Sequence, residues 1–194
     1  IMSNPVTITA PEGLPFIEIE REFDAPVEAV FRAHQDPELF RQWCGPHGYE
    51  MTLEQYDFRT GGRYRYVHGA GGEQYAFNGV FHVVRENEFA IQTFEFEGVP
   101  DVVALESMTF ERLEGGRSRL RGHSVYPSLE ARDGMVQSGM EQGVTEGYQR
   151  LEAQTAARFR VHRLHDGRSE RLYHSGDLVR CGRDGELEYL GRRD

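Results

Sequence analysis

The chain has no lysine: all 22 of its basic side chains are arginine. Any mechanism that requires a lysine is therefore excluded, including the phosphate-binding Gly-x-x-x-x-Gly-Lys loop. Positive charge is short altogether, with 32 Asp and Glu giving a formal net charge of -10. That balance argues against nucleic acid or an anionic membrane surface as a partner, because neutralising phosphates needs a basic face. Cysteine is scarce. Cys44 and Cys181 lie far apart in sequence, imply no disulfide framework, and fit a reducing cytoplasm, the expected location. Long apolar runs are missing, so no segment reads as a membrane span, and the start lacks the charged-then-apolar pattern of a signal peptide. There is no Gly-x-Ser-x-Gly nucleophile elbow. The eight histidines are scattered, and the one ligand-like spacing, His162-x-x-His165, lacks a matching cysteine or carboxylate pair. Neither a metal nor a cofactor is expected.

What is present suffices for a folded domain. A hydrophobic share of 38%, with 11% aromatic, can fill one ordinary core, and 194 residues leave room for a modest appendage. Charge marks where that appendage begins: residues 155–194 carry a balance of +2, against -12 for residues 1–154.

Residues 1–15 have three prolines and no periodicity, which suggests a loose arm. Residues 16–23 alternate, with Ile17, Ile19 and Phe23 on one face of a strand. Asp24 is placed to cap a short helix with Pro26 in its first turn, and Asp36-Pro37 starts a second. After Gly45-Pro46 the pattern changes to period two for some eighty residues, interrupted by Gly-rich turns and by a parity shift near Gln55 that suggests a bulge. This spacing predicts an antiparallel meander of six strands. Residues 128–154 then place Val136, Met140, Val144, Tyr148 and Leu151 on one stripe of a single long helix. Gly139, Gly143 and Gly147 make a second stripe, which means either close packing or space kept open beside the helix. The class is α+β, with a curved antiparallel sheet wrapped around a long helix.

Between sheet and helix the pattern places Trp43, Tyr49, Met51, Tyr64, Tyr66, Tyr75, Phe77, Phe81, Phe94, Met108, Val136 and Met140. They would line a pocket for an apolar guest or, equally in kind, form an ordinary core. His68, His82, Glu106 and His123 are the polar groups that could orient a ligand or act as acid or base. Cys44 has no visible base partner and reads as buried.

The strand of residues 16–23 with Asp24-Ala-Pro26, Val30-Phe31, Asp36-Pro37, Gln42-Trp43-Cys44-Gly45-Pro46, Gly61-Gly-Arg63 and the closing helix resembles the SRPBCC or START-like superfamily. Within it the likeness is to the group related to the carboxy-terminal domain of the activator of heat-shock protein 90 ATPase, over residues 16–154. The resemblance implies a helix-grip architecture with an elongated cavity for lipids, polyketides or other apolar molecules. It carries over no catalytic set.

Residues 155–194 are turn-rich, with Asp184-Gly185 signalling a hairpin. The Tyr173-x-x-Gly176-Asp177-Leu178 pattern followed by Gly191-Arg192-x-Asp194 resembles the adenylation domain of nonribosomal peptide synthetases. That resemblance implies that Asp177 meets the ribose hydroxyls of ATP, that Arg192 lies near the nucleotide, and that Asp194 is a hinge. The phosphate loop, the amino-acid pocket and the lysine of that family are missing, so isolated adenylation is not expected. Three functions stay open: binding an apolar small molecule, a chaperone-activator-like module for a protein partner, or a cyclase- or hydrolase-like enzyme. A chaperone or a synthetase would be the protein partner, and the sequence does not choose between monomer and homodimer.

Overall fold

A computed structural model describes residues 4–157 and, beyond them, the strands Phe159–Arg163, Ser169–Tyr173, Asp177–Cys181 and Leu187–Arg192. Alternation over residues 16–23 gives strand β2 (Phe16–Phe23), with Ile17 and Phe23 fully buried. Arg21 shares that inward face, buried against Glu152 at 3.5 Å and over the Phe23 ring. Within the described part of the arm, residues 4–15, there is a strand. Thr7–Thr9 form β1, which adds antiparallel to the edge of β2, and Arg132 Nη1 donates to Pro11 O at 2.8 Å.

Two short helices follow, α1 (Val27–Gln35) and α2 (Pro37–Trp43). Asp36 caps α2 through its side chain, accepting from the backbone N–H of Glu38 and Leu39 at 2.9 and 3.3 Å, with Pro37 opening the helix. Asp24 is not the N-cap residue of α1. Pro26 is the residue before that helix, and the Asp24 carboxylate accepts from Arg117 Nε at 3.1 Å.

The meander runs β3 (Glu50–Tyr56), β4 (Arg63–Ala70), β5 (Glu73–Arg85), β6 (Phe89–Phe96), β7 (Val103–Leu113) and β8 (Arg117–Val125). The parity shift is a register shift between Leu53 and Gln55 opposite β4. With β1 and β2 the meander forms one eight-stranded antiparallel sheet, ordered β1-β2-β8-β7-β6-β5-β4-β3.

The closing helix is two helices, a correction to the single run. Ser128 caps α3 (Leu129–Gln137), and α4 (Met140–Ala156) starts after Gly139, whose φ of 85° is left-handed. A side chain there would be strained, so the chain breaks at this glycine and the apolar stripe is rotated across it. α4 rests mainly on α1 and α2, and reaches the sheet at β2, where Tyr148 meets Phe23 and Glu152 meets Arg21. Gly147 sets that seating: a Cβ there would lie 3.2 Å from Trp43 O. Phe23, Val30, Phe31, Trp43, Phe110 and Leu151 belong to the main core beneath this helix layer. Raising α4 onto α1 and α2 leaves space above the middle of the sheet.

The last four strands, β9 to β12, form two antiparallel pairs, β9 with β10 and β11 with β12. The pairing of Cys181 with Leu187 has the register expected of a hairpin, while its turn residues, Asp184 and Gly185, lie outside the described residues.

Candidate functional site

The space under α4 is a cavity of about 660 Å³ that opens to solvent. Period-two alternation builds its floor: Tyr64, Tyr66 and His68 from β4, Tyr75, Phe77 and Phe81 from β5, Gln92 and Phe94 from β6, Glu106 and Met108 from β7, and Ser124 from β8. Met135, Met140, Gly143, Val144, Gly147 and Tyr148 form the helix wall, and Trp43 to Tyr49 close one end. Of the sequence-predicted set, Trp43, Tyr49, Tyr64, Tyr66, His68, Tyr75, Phe77, Phe81, Phe94, Glu106, Met108 and Met140 meet here.

Four do not. Met51 packs against the core beside the cavity. Val136 is 43% exposed, because the break at Gly139 turns Met135 inward in its place. His82 follows the inward Phe81 and is exposed. His123 lies on the outer face of β8, with its ring 4.8 Å from Phe16 and its Nδ1 3.4 Å from Glu18. Neither histidine can touch a cavity guest as acid or base. Cys44, His34, Gln92, Ser124, Tyr126 and Met135 were missed. Gln92, Glu106 and Ser124 are direct cross-strand neighbours, so the register of β6, β7 and β8 would have revealed them.

That trio is the polar point of the floor. Gln92 Nε2 donates to one Glu106 oxygen at 2.8 Å and Ser124 Oγ to the other at 3.0 Å. Burial still raises the Glu106 carboxyl above its usual range, the two hydrogen bonds offsetting only part of the desolvation. The surface it keeps faces the cavity. Burial pushes the Cys44 thiol up to about 12, against the pull of Arg150 and a hydrogen bond with Tyr66, so it is no nucleophile. His34 and His68 are held down at about 4, both chiefly by burial; Val30 O partly offsets it at His34, and Arg150 adds to it at His68. Tyr64, Tyr66, Tyr126 and Tyr148 are raised by burial and by Glu106 nearby. At neutral pH His34, His68, the Cys44 thiol and the phenols of Tyr64, Tyr66, Tyr126 and Tyr148 are therefore uncharged.

Among the described residues that line the cavity, His68 holds a buried atom without a hydrogen-bond partner: it is 6% exposed, and the atom is its Nδ1. Its ring is held by Gly45, at φ 98°, where any Cβ would collide with Cε1 of the imidazole. Gly45→Ala is therefore expected to destabilise the fold by about 1–3 kcal/mol through backbone strain and overpacking, measured by urea unfolding.

Among the described residues no cluster of three His, Cys, Asp or Glu could hold a metal ion, and no helix is long and apolar enough to cross a membrane. The His162 side chain, His165 and Asp194 lie outside the described residues. The backbones of Asp177 and Arg192 are opposite each other on β11 and β12, but their side chains also lie outside.

An eight-stranded antiparallel sheet, helices seated over it and a hollow between define an α+β protein of the helix-grip type. Residues 24–156 match the family model described as Activator of Hsp90 ATPase homolog 1-like protein, and the chain belongs to that family. It is similar in structure to protein Ms6760 from Mycobacterium smegmatis, with a TM-score of 0.71 and 26% identity over 77% of this chain and 96% of that one. A protein from Arthrobacter aurescens gives a TM-score of 0.71 and 25% identity over 78% of this chain and 91% of that one. A different likeness covers a short stretch: over 52 residues, 27% of the chain, it is 48% identical to malpinin synthetase of Mortierella alpina. The chain spans about 1% of that synthetase's length.

Proposed function

We propose that the domain binds an apolar small molecule in the space between sheet and α4. The observation that supports this reading is the cavity itself: about 660 Å³, walled by aromatic and methionine side chains, with a few polar groups converging on it. A chaperone-activator-like module acting through its acidic surface would leave so large an apolar hollow without a role. Catalysis by His82 or His123 is disfavoured by their positions outside it.

The test uses a solvatochromic apolar probe. Saturable binding with a blue-shifted emission is expected, and Gly143→Trp should weaken it by about tenfold or more by keeping roughly 60 Å² of probe surface in water. Gly143 suits the purpose, because a Cβ there meets only Pro46 Cδ, at 3.8 Å, and the indole can fill the cavity without disturbing the helix. Unchanged binding in Gly143→Trp, with the fold intact by circular dichroism, would place the probe elsewhere and sink the proposal.

A further inference from the structure

Among the described residues the one carboxyl lining the cavity is Glu106, on the inward face of β7 with Ala104 and Met108. It is only partly buried, and the surface it keeps faces the hollow. A carboxylate offers about four acceptor sites on its two oxygens. Gln92 Nε2 fills one at 2.8 Å and Ser124 Oγ another at 3.0 Å, and these are its side-chain hydrogen bonds among the described residues. Capacity for further donors remains on the side of the guest space.

No positive charge answers this carboxyl from within the cavity. Among the described residues no arginine lines it, and His34 and His68 are neutral. Arg150 lies outside the lining, donating to Gly45 O. The titratable groups close to Glu106 are the phenols of Tyr64 and Tyr66 on β4, of Tyr126 just past β8 and of Tyr148 on α4, and the Cys44 thiol after α2, all uncharged at neutral pH. Burial raises the Glu106 carboxyl, which reflects the same want of a counter-charge. Folding has already stripped much of its hydration, so a cation that reaches it gains more than the same pair would in water.

The approach is acidic too. Exposed His47 stands at the opening, and its backbone N–H donates to the Glu146 carboxylate at 2.6 Å. Residues 1–154 as a whole carry a balance of -12. Such a field gathers cations at the entrance and repels anions, which would then lose their hydration with no counter-charge inside.

We propose that the guest is an apolar amine, its ammonium group paired with Glu106 and its hydrocarbon body among the aromatic and methionine side chains, and that carboxylates are rejected. An ammonium suits the site because it carries three N–H donors and no acceptor, and the oxygens around Glu106 belong to a carboxylate and to phenols that can accept. This rests on the reading of the cavity as a guest site.

The experiment is equilibrium binding of 2-naphthylmethylamine, 2-naphthylmethanol and 2-naphthoate to the full chain at neutral pH, three probes with one ring system and a positive, a neutral and a negative head. The amine should bind about tenfold more tightly than the alcohol, since a charge-assisted hydrogen bond is roughly twice as strong as a neutral one. Naphthoate should bind at least about tenfold more weakly than the alcohol, its charge buried unpaired. Glu106→Gln keeps the shape of the side chain and removes its charge, and should abolish the margin of amine over alcohol. In the unmutated chain the carboxyl carbon resonance of Glu106 should shift on adding the amine and its titration should move to lower pH, because the ammonium favours the ionised form; this readout does not depend on the variant folding. An amine that binds no better than the alcohol, keeps its margin in Glu106→Gln, or leaves the Glu106 carboxyl unmoved would overturn the proposal while the cavity reading stands. If none of the three probes binds, the cavity reading fails and the proposal falls with it.

Discussion

Lowering the pH through the range from about 6.5 to about 4 is expected to destabilise this domain strongly, before most of its exposed carboxylates lose their charge. His34 and His68 are both held at about 4 in the folded state, against an ordinary value of 6.5. Across that window the unfolded chain takes up protons that the folded state refuses, so stability falls with falling pH and levels off below about 4. For His34, fully buried and donating from Nδ1 to Val30 O at 2.8 Å, the loss is about 3 kcal/mol. His68 adds a further loss of the same sign. Glu106 and Glu152 work the other way: their raised carboxyls favour protonation in the fold and return part of the loss as the pH drops through them. Carboxylates held low, such as Glu22 beside Arg119 and Arg117, add their own loss only at and below the usual carboxylate range. Urea unfolding at stepped pH measures the sum, and the imidazole proton shifts of His34 should stay flat until about pH 4. A His34 titrating near 6.5 in the folded protein would contradict the buried, neutral ring.

Leu151→Ala should cost about 2–5 kcal/mol and lower the melting temperature by roughly 4–20 °C. Leu151 is fully buried in the main core and is the fully buried apolar side chain of α4. α4 rests on α1 and α2, so truncation opens a void in the seat that holds the helix above the sheet. The effect should be larger than for Val144→Ala on the cavity wall, where empty space already adjoins the side chain. Equal losses at the two positions would mean that α4 is held by the cavity side instead.

The element order was legible in the sequence because period-two alternation and glycine turns are local signals. Strand β2, the bulge beside Gln55 and the six-strand meander all follow from them. The strand within the arm was not read, because three prolines hide a three-residue edge strand whose partner, β2, is already a strand by its own pattern. The helix break was hidden for a related reason. Val136, Met140 and Val144 keep helical spacing through Gly139, and spacing does not reveal a left-handed φ. Aromatic cavity residues were found because size and parity pick them out. Glu106 was found too, but its partners Gln92 and Ser124 were not, since cross-strand register decides which polar side chains meet. His82 and His123 were attractive by type alone, and parity sends both outward.

The central claim is that an apolar guest enters the hollow under α4. Two-dimensional NMR of the labelled chain during titration with naphthalene tests it most directly. Saturable shifts should concentrate on Tyr66, Phe77, Phe94, Met108, Met140 and Tyr148, with little change at His82 or His123. Shifts confined to the outer sheet face, or none at saturating probe, would contradict it.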